Sequence, residues 1–192
     1  MPAQPPLMHA WKSHADALQN RGAPSPRLGL LVDALGGWGR VLEVGCGSGR
    51  NTIPLAMQGV EVVALDVAIE PLLLLGACCE RVRATGEFHL PFPDSSFDGI
   101  LDSYAFTFIS NRKLYARELH RVLKPKGLLL LEFDEEPHVR SHKALERALH
   151  AAFGGLFEPL EVYRIHHAWG SIHEEGVREV PAIAALLRSC KD

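Results

Sequence analysis

Three alternate glycines, Gly45, Gly47 and Gly49, follow a short apolar run and lead into a helix-like segment. A strand that runs into glycines, which then run into a helix, brings bare backbone close to a ligand because no Cβ blocks the approach. The start of the helix adds N–H groups that lack intrahelical partners and can bind polar or charged ligand atoms. The spacing therefore predicts a loop that binds the polar part of a ligand.

A carboxylate stands where it could bind a second part of the same ligand. Asp66 ends the next apolar run, 17 residues after Gly49, and a carboxylate there can accept hydrogen bonds from both hydroxyls of a ribose. A dinucleotide fingerprint would have its third glycine where Arg50 stands, and the Gly-Lys-Ser/Thr of a phosphate-binding loop is absent. These residues predict a nucleoside ligand and leave its identity open.

Apolar runs alternate with amphipathic segments along the chain, which predicts strands that alternate with helices. The predicted strands are 41–44, 60–65, 81–85, 98–103, 128–133 and 160–166. Residues 182–190 could form a helix or a buried strand, and we favour the strand. The predicted helices are 8–20, 28–35, 50–58, 69–80, 113–123 and 141–153, with Ser25 as a cap of the second. The pattern indicates an α/β fold, with a doubly wound, mostly parallel sheet, helices on both faces and an antiparallel C-terminal strand.

Length and composition bound the class of protein. The chain has 192 residues, of which 47% are apolar and 22% charged, which suits one domain with a sizeable core. Its net charge of −3 is not that of a basic protein that binds nucleic acid. Its four cysteines lack a Cys-x-x-Cys spacing, so we expect no metal site. The cysteine pattern, the N-terminus without signal character and the short apolar runs predict a cytoplasmic protein that does not enter a membrane.

Three segments resemble motifs of class I S-adenosylmethionine-dependent methyltransferases. Val41–Gly49 is similar to the first motif of that family, and Leu90–Asp98 resembles the LPFPDxSFD segment of its small-molecule, quinone-methyltransferase-like branch. Glu118–Gly127 is close to the family's ExxRVLKPGG, with Lys126 where the family usually has glycine. The resemblance covers about residues 40–133 and implies S-adenosylmethionine as the cofactor and a small molecule as the methyl acceptor.

The resemblance assigns roles to the residues around the glycine loop. The three glycines would curl under the methionine part of the cofactor, and Glu43 would hold the loop or, through water, the cofactor's ammonium. Cys46 would contribute its backbone and a small side chain. It would not act as a nucleophile, because methyl transfer from a sulfonium requires no nucleophilic enzyme group. Asp66 would accept hydrogen bonds from the ribose hydroxyls.

The adenine end of the cofactor would lie beyond Asp66. Val67 would pack on the adenine ring, and Phe88 would cover its other face. The family commonly places an acid where this chain has Gly86, so the neighbouring Glu87 is the candidate to reach the adenine amino group.

Other candidates stand at the end of the fourth predicted strand, because ligands bind outside the carboxyl ends of parallel strands. Ser103 and Tyr104 would lie beside the methyl group as cofactor contacts. Phe106 and Phe108 would line the acceptor pocket or, as the alternative, pack in the core. His138, just after the fifth strand, is the candidate general base.

The resemblance implies one methyltransferase domain over residues 1–192. Residues 1–38 would form an N-terminal helical lid, 40–133 the cofactor-binding core, and 134–192 a C-terminal helix with strands. We expect a monomer or homodimer that binds a small-molecule substrate. Two alternatives remain: a catalytically silent cofactor-binding subunit of a partner protein, and a nicotinamide-dependent dehydrogenase.

Overall fold

The computed structural model describes residues 23–134, 142–169 and 178–191. Within these residues the helices are α1 (Leu28–Ala34), α2 (Thr52–Met57), α3 (Ile69–Leu73), α4 (Arg112–Val122) and α5 (His142–Phe153), with a 3₁₀ helix at Ala105–Phe108. The strands are β1 (Arg40–Val44), β2 (Glu61–Asp66), β3 (Glu80–Arg83), β4 (Phe97–Ser103), β5 (Leu123–Asp134), β6 (Phe157–Trp169) and β7 (Arg178–Ser189). The helix predicted at 8–20 lies outside the described residues.

The seven strands of the described residues form one sheet in the order β3-β2-β1-β4-β5-β7-β6. The first five strands pair in parallel, whereas β7 lies antiparallel between β5 and β6. The prediction of a mostly parallel sheet with an antiparallel C-terminal strand is confirmed. The strand order reverses between β1 and β4, and such a switch point leaves a crevice outside the carboxyl ends of the strands.

Side chains of the central strands pack on two layers of helices. In β1, Leu42 and Val44 belong to the apolar cluster that includes residues of α4 and α5. Val41 belongs to the cluster that includes residues of α1. Residues 128–133 of β5 are all buried, as the continuous apolar run predicts for a strand that is covered on both faces.

The helix after β2 is shorter than predicted. The pattern predicts a helix over 69–80, but α3 ends at Leu73, since residues 74–79 form turns and bends. Gly76 lies in this stretch with φ of +63°, a backbone conformation that interrupts a right-handed helix. Strands β5, β6 and β7, by contrast, begin earlier than predicted.

Ser25 makes a capping hydrogen bond at the start of α1, as predicted. Its hydroxyl accepts from the Arg27 N–H at 3.1 Å, in the turn directly before Leu28, although the assigned capping position is Arg27. The same hydroxyl donates to Glu132 Oε1 of β5 at 2.5 Å. The beginning of α1 is therefore anchored at the carboxyl edge of the sheet.

Two of the resemblance motifs form one structural unit that leads into β4. The loop from Leu90 to Asp94 contains two prolines and so has few N–H groups to bond with itself. The Leu90 N–H donates to Glu118 Oε2 at 2.8 Å, and the Arg121 guanidinium donates to the carbonyls of Leu90 and Phe92 at 2.9 and 2.8 Å. Helix α4 thereby fixes the loop and with it the position of β4.

Candidate active site

The glycine loop lies at the carboxyl ends of β1 and β2. The N–H groups of Gly45 and Cys46 both donate to the Leu65 carbonyl, at 2.8 and 3.0 Å. These bonds curl the chain over the end of β2, as the predicted strand–loop–helix arrangement requires.

All three glycines of the loop have positive φ. The three positions differ in the space that a side chain would find there. A Cβ on Gly45 would lie 2.7 Å from the Ala105 Cβ, and one on Gly49 would lie 2.2 Å from Leu75 Cδ2. A Cβ on Gly47 would meet no atom within 4 Å. Gly45 and Gly49 therefore allow close packing of the protein on itself, whereas Gly47 borders open space that a ligand can fill.

Glu43 lies beneath the loop as a buried carboxyl group. The Thr52 hydroxyl donates to one of its oxygens, and Asn51 Nδ2 donates to the other at 3.3 Å. Burial raises the pKa of Glu43 to about 7, although both hydrogen bonds oppose the shift. Since Asn51 and Thr52 start α2, Glu43 fixes the helix to the end of β1, which supports the first of its two predicted roles.

Asp66 joins the end of β2 to the middle of the glycine loop. Its Oδ2 accepts from the Gly47 N–H and its Oδ1 from the Ala68 N–H, each at 2.9 Å. Burial raises the pKa of Asp66, and the backbone donors work against that shift. Each carboxylate oxygen retains a further lone pair, so the group can also accept from ribose hydroxyls.

A buried carboxylate that the sequence analysis missed joins four segments at this edge. Glu132 of β5 is 2% exposed and accepts from the Ser25 hydroxyl and, at 2.6 Å, from the Ser103 hydroxyl. Arg27 Nη1 lies 3.9 Å from Glu132 Oε1. The Ser25 N–H donates to Asn51 Oδ1 at 2.8 Å, which extends the network to the start of α2. In the sequence, the signal that could have identified Glu132 is its position as an acid inside an otherwise apolar strand.

The predicted residues at the end of β4 meet this network. The Ser103 hydroxyl donates to Glu132 and accepts from Arg50 Nη2 at 2.8 Å. Tyr104 has φ of +76° and packs against Ile165 and alanines of β7. The Arg50 guanidinium carbon lies 5.9 Å from the centroid of the Tyr104 ring. Ser103, Tyr104 and Arg50 thus lie together at the edge of the crevice.

The residues predicted at the adenine end lie on the outer side of the crevice. Phe88 is 64% exposed, and Glu87 Oε1 accepts from the N–H and the hydroxyl of Ser110 at 3.0 and 3.1 Å. A Cβ on Gly86 would lie 3.1 Å from Tyr115 Cε2, so an acid at that position would require Tyr115 to move. Val67 directly follows β2 and is half-buried. The adenine contacts of Val67, Glu87 and Phe88 stay predictions.

Phe106 does not line a pocket as predicted. Its side chain is 3% exposed and packs on Phe133 and Phe153, with ring centroids 5.3 Å away in each case. The left-handed Tyr104 turns the chain after β4, and the following 3₁₀ helix carries Phe106 into the core. Phe108, at the end of the same helix, is half-buried. His138 lies outside the described residues.

The environment of the Cys46 thiol does not activate it as a nucleophile. It is 4% exposed and donates to the Gly47 carbonyl at 3.5 Å. Burial raises the pKa of Cys46, and the neighbouring Glu43 and Asp66 carboxyl groups add to the shift. The thiol is therefore protonated at neutral pH, consistent with the prediction that Cys46 is not a nucleophile.

Asp102, also absent from the predicted site, is a second buried carboxyl group near the end of β4. Tyr115 Oη donates to its Oδ2 at 2.6 Å, and the Phe106 N–H donates to its Oδ1 at 3.1 Å. Burial raises the pKa of Asp102 to about 7 despite these donors. The group holds the turn after β4 rather than facing the crevice.

We expect Asp102→Asn to flatten the pH dependence of stability. An unfolded Asp loses its proton near pH 4, whereas folded Asp102 keeps it to about pH 7, so the stability that this group contributes is full below pH 4 and declines as the pH rises to about 7. The substitution should reduce that slope by up to about 1.4 kcal/mol per pH unit. Urea unfolding at several pH values between 5 and 8 measures it, and equal slopes for both proteins would contradict the prediction.

A second groove lies at the opposite, amino-terminal edge of the sheet. It has a volume of about 320 Å³ and is lined by Trp38, Lys124 and Arg188, among others. Lys124 pairs with Asp98 at 2.8 Å, and Arg188 pairs with Glu158 at 3.2 Å. None of the predicted site residues lines this groove.

The strand order, the glycine loop after β1 and the carboxylate that ends β2 define the Rossmann-like fold of class I methyltransferases. Residues 42–131 match the methyltransferase domain family, which confirms the resemblance of the sequence motifs. The demethylmenaquinone methyltransferases of Tropheryma whipplei and Renibacterium salmoninarum are 35% identical to this chain over 97 residues and 36% identical over 110 residues. The two matches cover 47% and 53% of this chain, but only 40% and 45% of those proteins.

A solved structure with the same fold extends the similarity beyond the matched segment. It is the 1,6-didemethyltoxoflavin-N1-methyltransferase of Burkholderia thailandensis, crystallised with 1,6-didemethyltoxoflavin and S-adenosylhomocysteine. Its TM-score is 0.70 at 21% identity, and the alignment covers 100% of this chain and 93% of that one. In the described residues of the present chain, no helix is long and apolar enough to cross a membrane.

Proposed function

We propose that this protein transfers a methyl group from S-adenosylmethionine to a small-molecule acceptor. One observation carries the proposal: Gly47 borders open space at the switch point of the sheet, and its N–H is held by Asp66. The methyltransferase domain match supports the same function, and the curated relatives are named as methyltransferases of a small quinone-type molecule. These findings favour a methyltransferase over the nicotinamide-dependent alternative.

The residues at the crevice fit the parts of this cofactor. The open side of Gly47 suits the methionine part, and the free lone pairs of Asp66 suit the ribose hydroxyls. Val67 and Phe88 remain the proposed apolar contacts of the adenine, with Glu87 as its polar contact. When bound, the cofactor supplies an electrophilic methyl group on a sulfonium.

The chain's own residues would contribute mainly position and exclusion of water. Burial raises the pKa of the Tyr104 hydroxyl, so it stays protonated and is a poor base. The Ser103 hydroxyl is hydrogen-bonded to Glu132 and to Arg50. It therefore borders the crevice in a fixed orientation. The aromatic face of Tyr104 can stabilise positive charge near the reacting methyl. A base is required only for a weakly nucleophilic acceptor, and His138 remains the proposed one.

The remaining features of the proposal concern the protein as a whole. Residues 1–38 would cover the site as a lid, because α1 begins at the carboxyl edge where Ser25 binds Glu132. We propose that the protein acts in the cytoplasm as a monomer or homodimer and does not act on nucleic acid. The net charge of −3 supports the last point.

Binding of S-adenosylhomocysteine tests the proposed function. By calorimetry the wild-type protein should bind it with micromolar-class affinity, and Asp66→Ala should weaken binding by about 1–3 kcal/mol, the scale of a lost charged hydrogen bond. Glu158→Ala is the matched control, since it removes an exposed carboxylate at the opposite edge of the sheet, where Glu158 pairs with Arg188. A folded wild-type protein that binds no S-adenosylhomocysteine would contradict the proposed function. Equal affinities for Asp66→Ala and wild type would remove Asp66 from the site.

A further inference from the structure

Arg50 is a cation at the crevice that has no carboxylate partner among the described residues. It directly follows Gly49 in the turn that leads into α2 and is half-buried. Its Nη2 donates to the Ser103 hydroxyl at 2.8 Å. Within the described part of the chain, no carboxylate oxygen lies within 4.0 Å of its guanidinium.

Three other arginines of the described residues pair with carboxylates. Arg40 pairs with two glutamates, Arg121 with a glutamate and an aspartate, and Arg188 with Glu158. Arg81 and Arg83 instead donate to backbone carbonyls, and neither lies in the glycine loop. Arg50 differs from the ion-paired arginines in having its charge available for an anion beside that loop.

The carboxylates near Arg50 are committed to other groups. Glu132 accepts from two hydroxyls and lies near Arg27. Glu43 accepts from Asn51 and Thr52, and its pKa of about 7 leaves it only partly charged at neutral pH. Arg50 lies close enough to Glu43 to oppose the rise of its pKa, but neither of these carboxylates lies within 4.0 Å of the guanidinium.

We propose that the Arg50 guanidinium binds the α-carboxylate in the methionine part of the cofactor. The inference rests on the proposed function, which places that part over the glycine loop. The carboxylate is the one anionic group of S-adenosylmethionine, and Arg50 is the residue next to the last glycine of the loop. Ser103 accepts only one of the two N–H bonds of Nη2. The guanidinium therefore keeps one complete edge, either Nε with Nη2 or Nη1 with Nη2, that can bind a carboxylate through two parallel hydrogen bonds.

Ser103 gives the guanidinium its orientation. The Ser103 hydroxyl donates its proton to Glu132 at 2.6 Å, so it can only accept from Arg50. Glu132 is in turn held by Ser25 from the segment before α1. Arg50 is thus held through two part-buried hydrogen bonds in series, Arg50 to Ser103 and Ser103 to Glu132, as a preorganised binding group requires.

Two ligands that differ in the amino-acid part test the proposal. S-adenosylhomocysteine carries the carboxylate, whereas 5′-methylthioadenosine keeps the adenosine and the sulfur and lacks the amino-acid part. By calorimetry, Arg50→Gln should weaken S-adenosylhomocysteine binding about ten- to one-hundred-fold and leave 5′-methylthioadenosine within twofold of wild type. Arg50→Lys should restore part of the loss. Arg188→Gln removes the same charge at the opposite edge and should change neither affinity.

The outcomes that would contradict the role of Arg50 can be told apart from those that would contradict the proposed function. Unchanged binding of S-adenosylhomocysteine by Arg50→Gln would overturn the proposal and leave Arg50 to an anionic acceptor or to structure alone. Equal weakening of both ligands would also overturn it, because the residue would then act through the shape of the loop. A wild-type protein that binds neither ligand would instead remove the proposed function, before any variant is compared.

Discussion

Gly49→Ala should lower the free energy of unfolding by about 3 kcal/mol, whereas Gly47→Ala should lower it by only about 1 kcal/mol. Both glycines have positive φ, +89° and +52°, so each alanine acquires left-handed strain of about 1–2 kcal/mol. The difference lies in the space around the new methyl group. At Gly49 it would stand 2.2 Å from Leu75 Cδ2, whereas at Gly47 it meets no atom within 4 Å. Urea unfolding followed by circular dichroism measures both values.

The same pair of variants separates packing from ligand binding. The Gly47 methyl group would fill the open space beside the loop, so Gly47→Ala should weaken S-adenosylhomocysteine binding at least tenfold, about 1.4 kcal/mol or more, while the fold stays intact. A Gly47→Ala protein that binds like wild type would show that the ligand does not lie over Gly47. Equal destabilisation by both alanines would show that contact with Leu75 is not the cause at Gly49.

A double-mutant cycle identifies the atom responsible. Leu75→Ala alone should destabilise the protein through a cavity, by about 2–5 kcal/mol, because Leu75 is 4% exposed. Combined with Gly49→Ala it should cost less than the sum of the two, since the shortened side chain makes room for the new methyl group. Additive losses would contradict the proposed clash.

The sheet could be predicted because its signals are local. Strands β1, β2 and β4 are short apolar runs bounded by glycines, prolines and acids, and parallel pairing follows from the helices between them. The glycine loop and Asp66 could be predicted for the same reason, since each is read from its position after a strand. The helix after β2 was predicted too long because a leucine-rich stretch favours helix whether or not its last turn forms.

The network around Glu132 could not be predicted, because its members are distant in sequence. Ser25 and Glu132 are 107 positions apart, and Ser103 and Glu132 are 29 apart, so no periodic pattern relates them. Phe106 was assigned to the pocket for a similar reason. The left-handed conformation of Tyr104, which turns Phe106 into the core, is rare for a residue other than glycine and has no signal in the sequence.

Glu132→Ala should lower the free energy of unfolding by about 3 kcal/mol or more. The substitution leaves two hydroxyl groups, of the buried Ser25 and the half-buried Ser103, without their acceptor. It also removes the carboxylate that lies 3.9 Å from Arg27, and it creates a cavity in a strand that is covered on both faces. Urea unfolding at pH 7 measures the loss.

Glu132→Gln separates the charge from the shape. The glutamine keeps the volume and one oxygen acceptor, and a serine hydroxyl can rotate to accept from its amide, so the loss should be about half of that for alanine. A Gln variant as stable as wild type would show that the negative charge contributes nothing to the fold.

The same variant connects the fold to the site. Without a carboxylate acceptor the Ser103 hydroxyl no longer has to point its proton at residue 132, so it loses the fixed orientation in which it accepts from Arg50. Glu132→Gln should therefore weaken S-adenosylhomocysteine binding by several-fold, less than Arg50→Gln, although Glu132 is 2% exposed and cannot contact a ligand. Calorimetry on the folded Gln variant measures this, and wild-type affinity would show that Arg50 holds its position without Ser103.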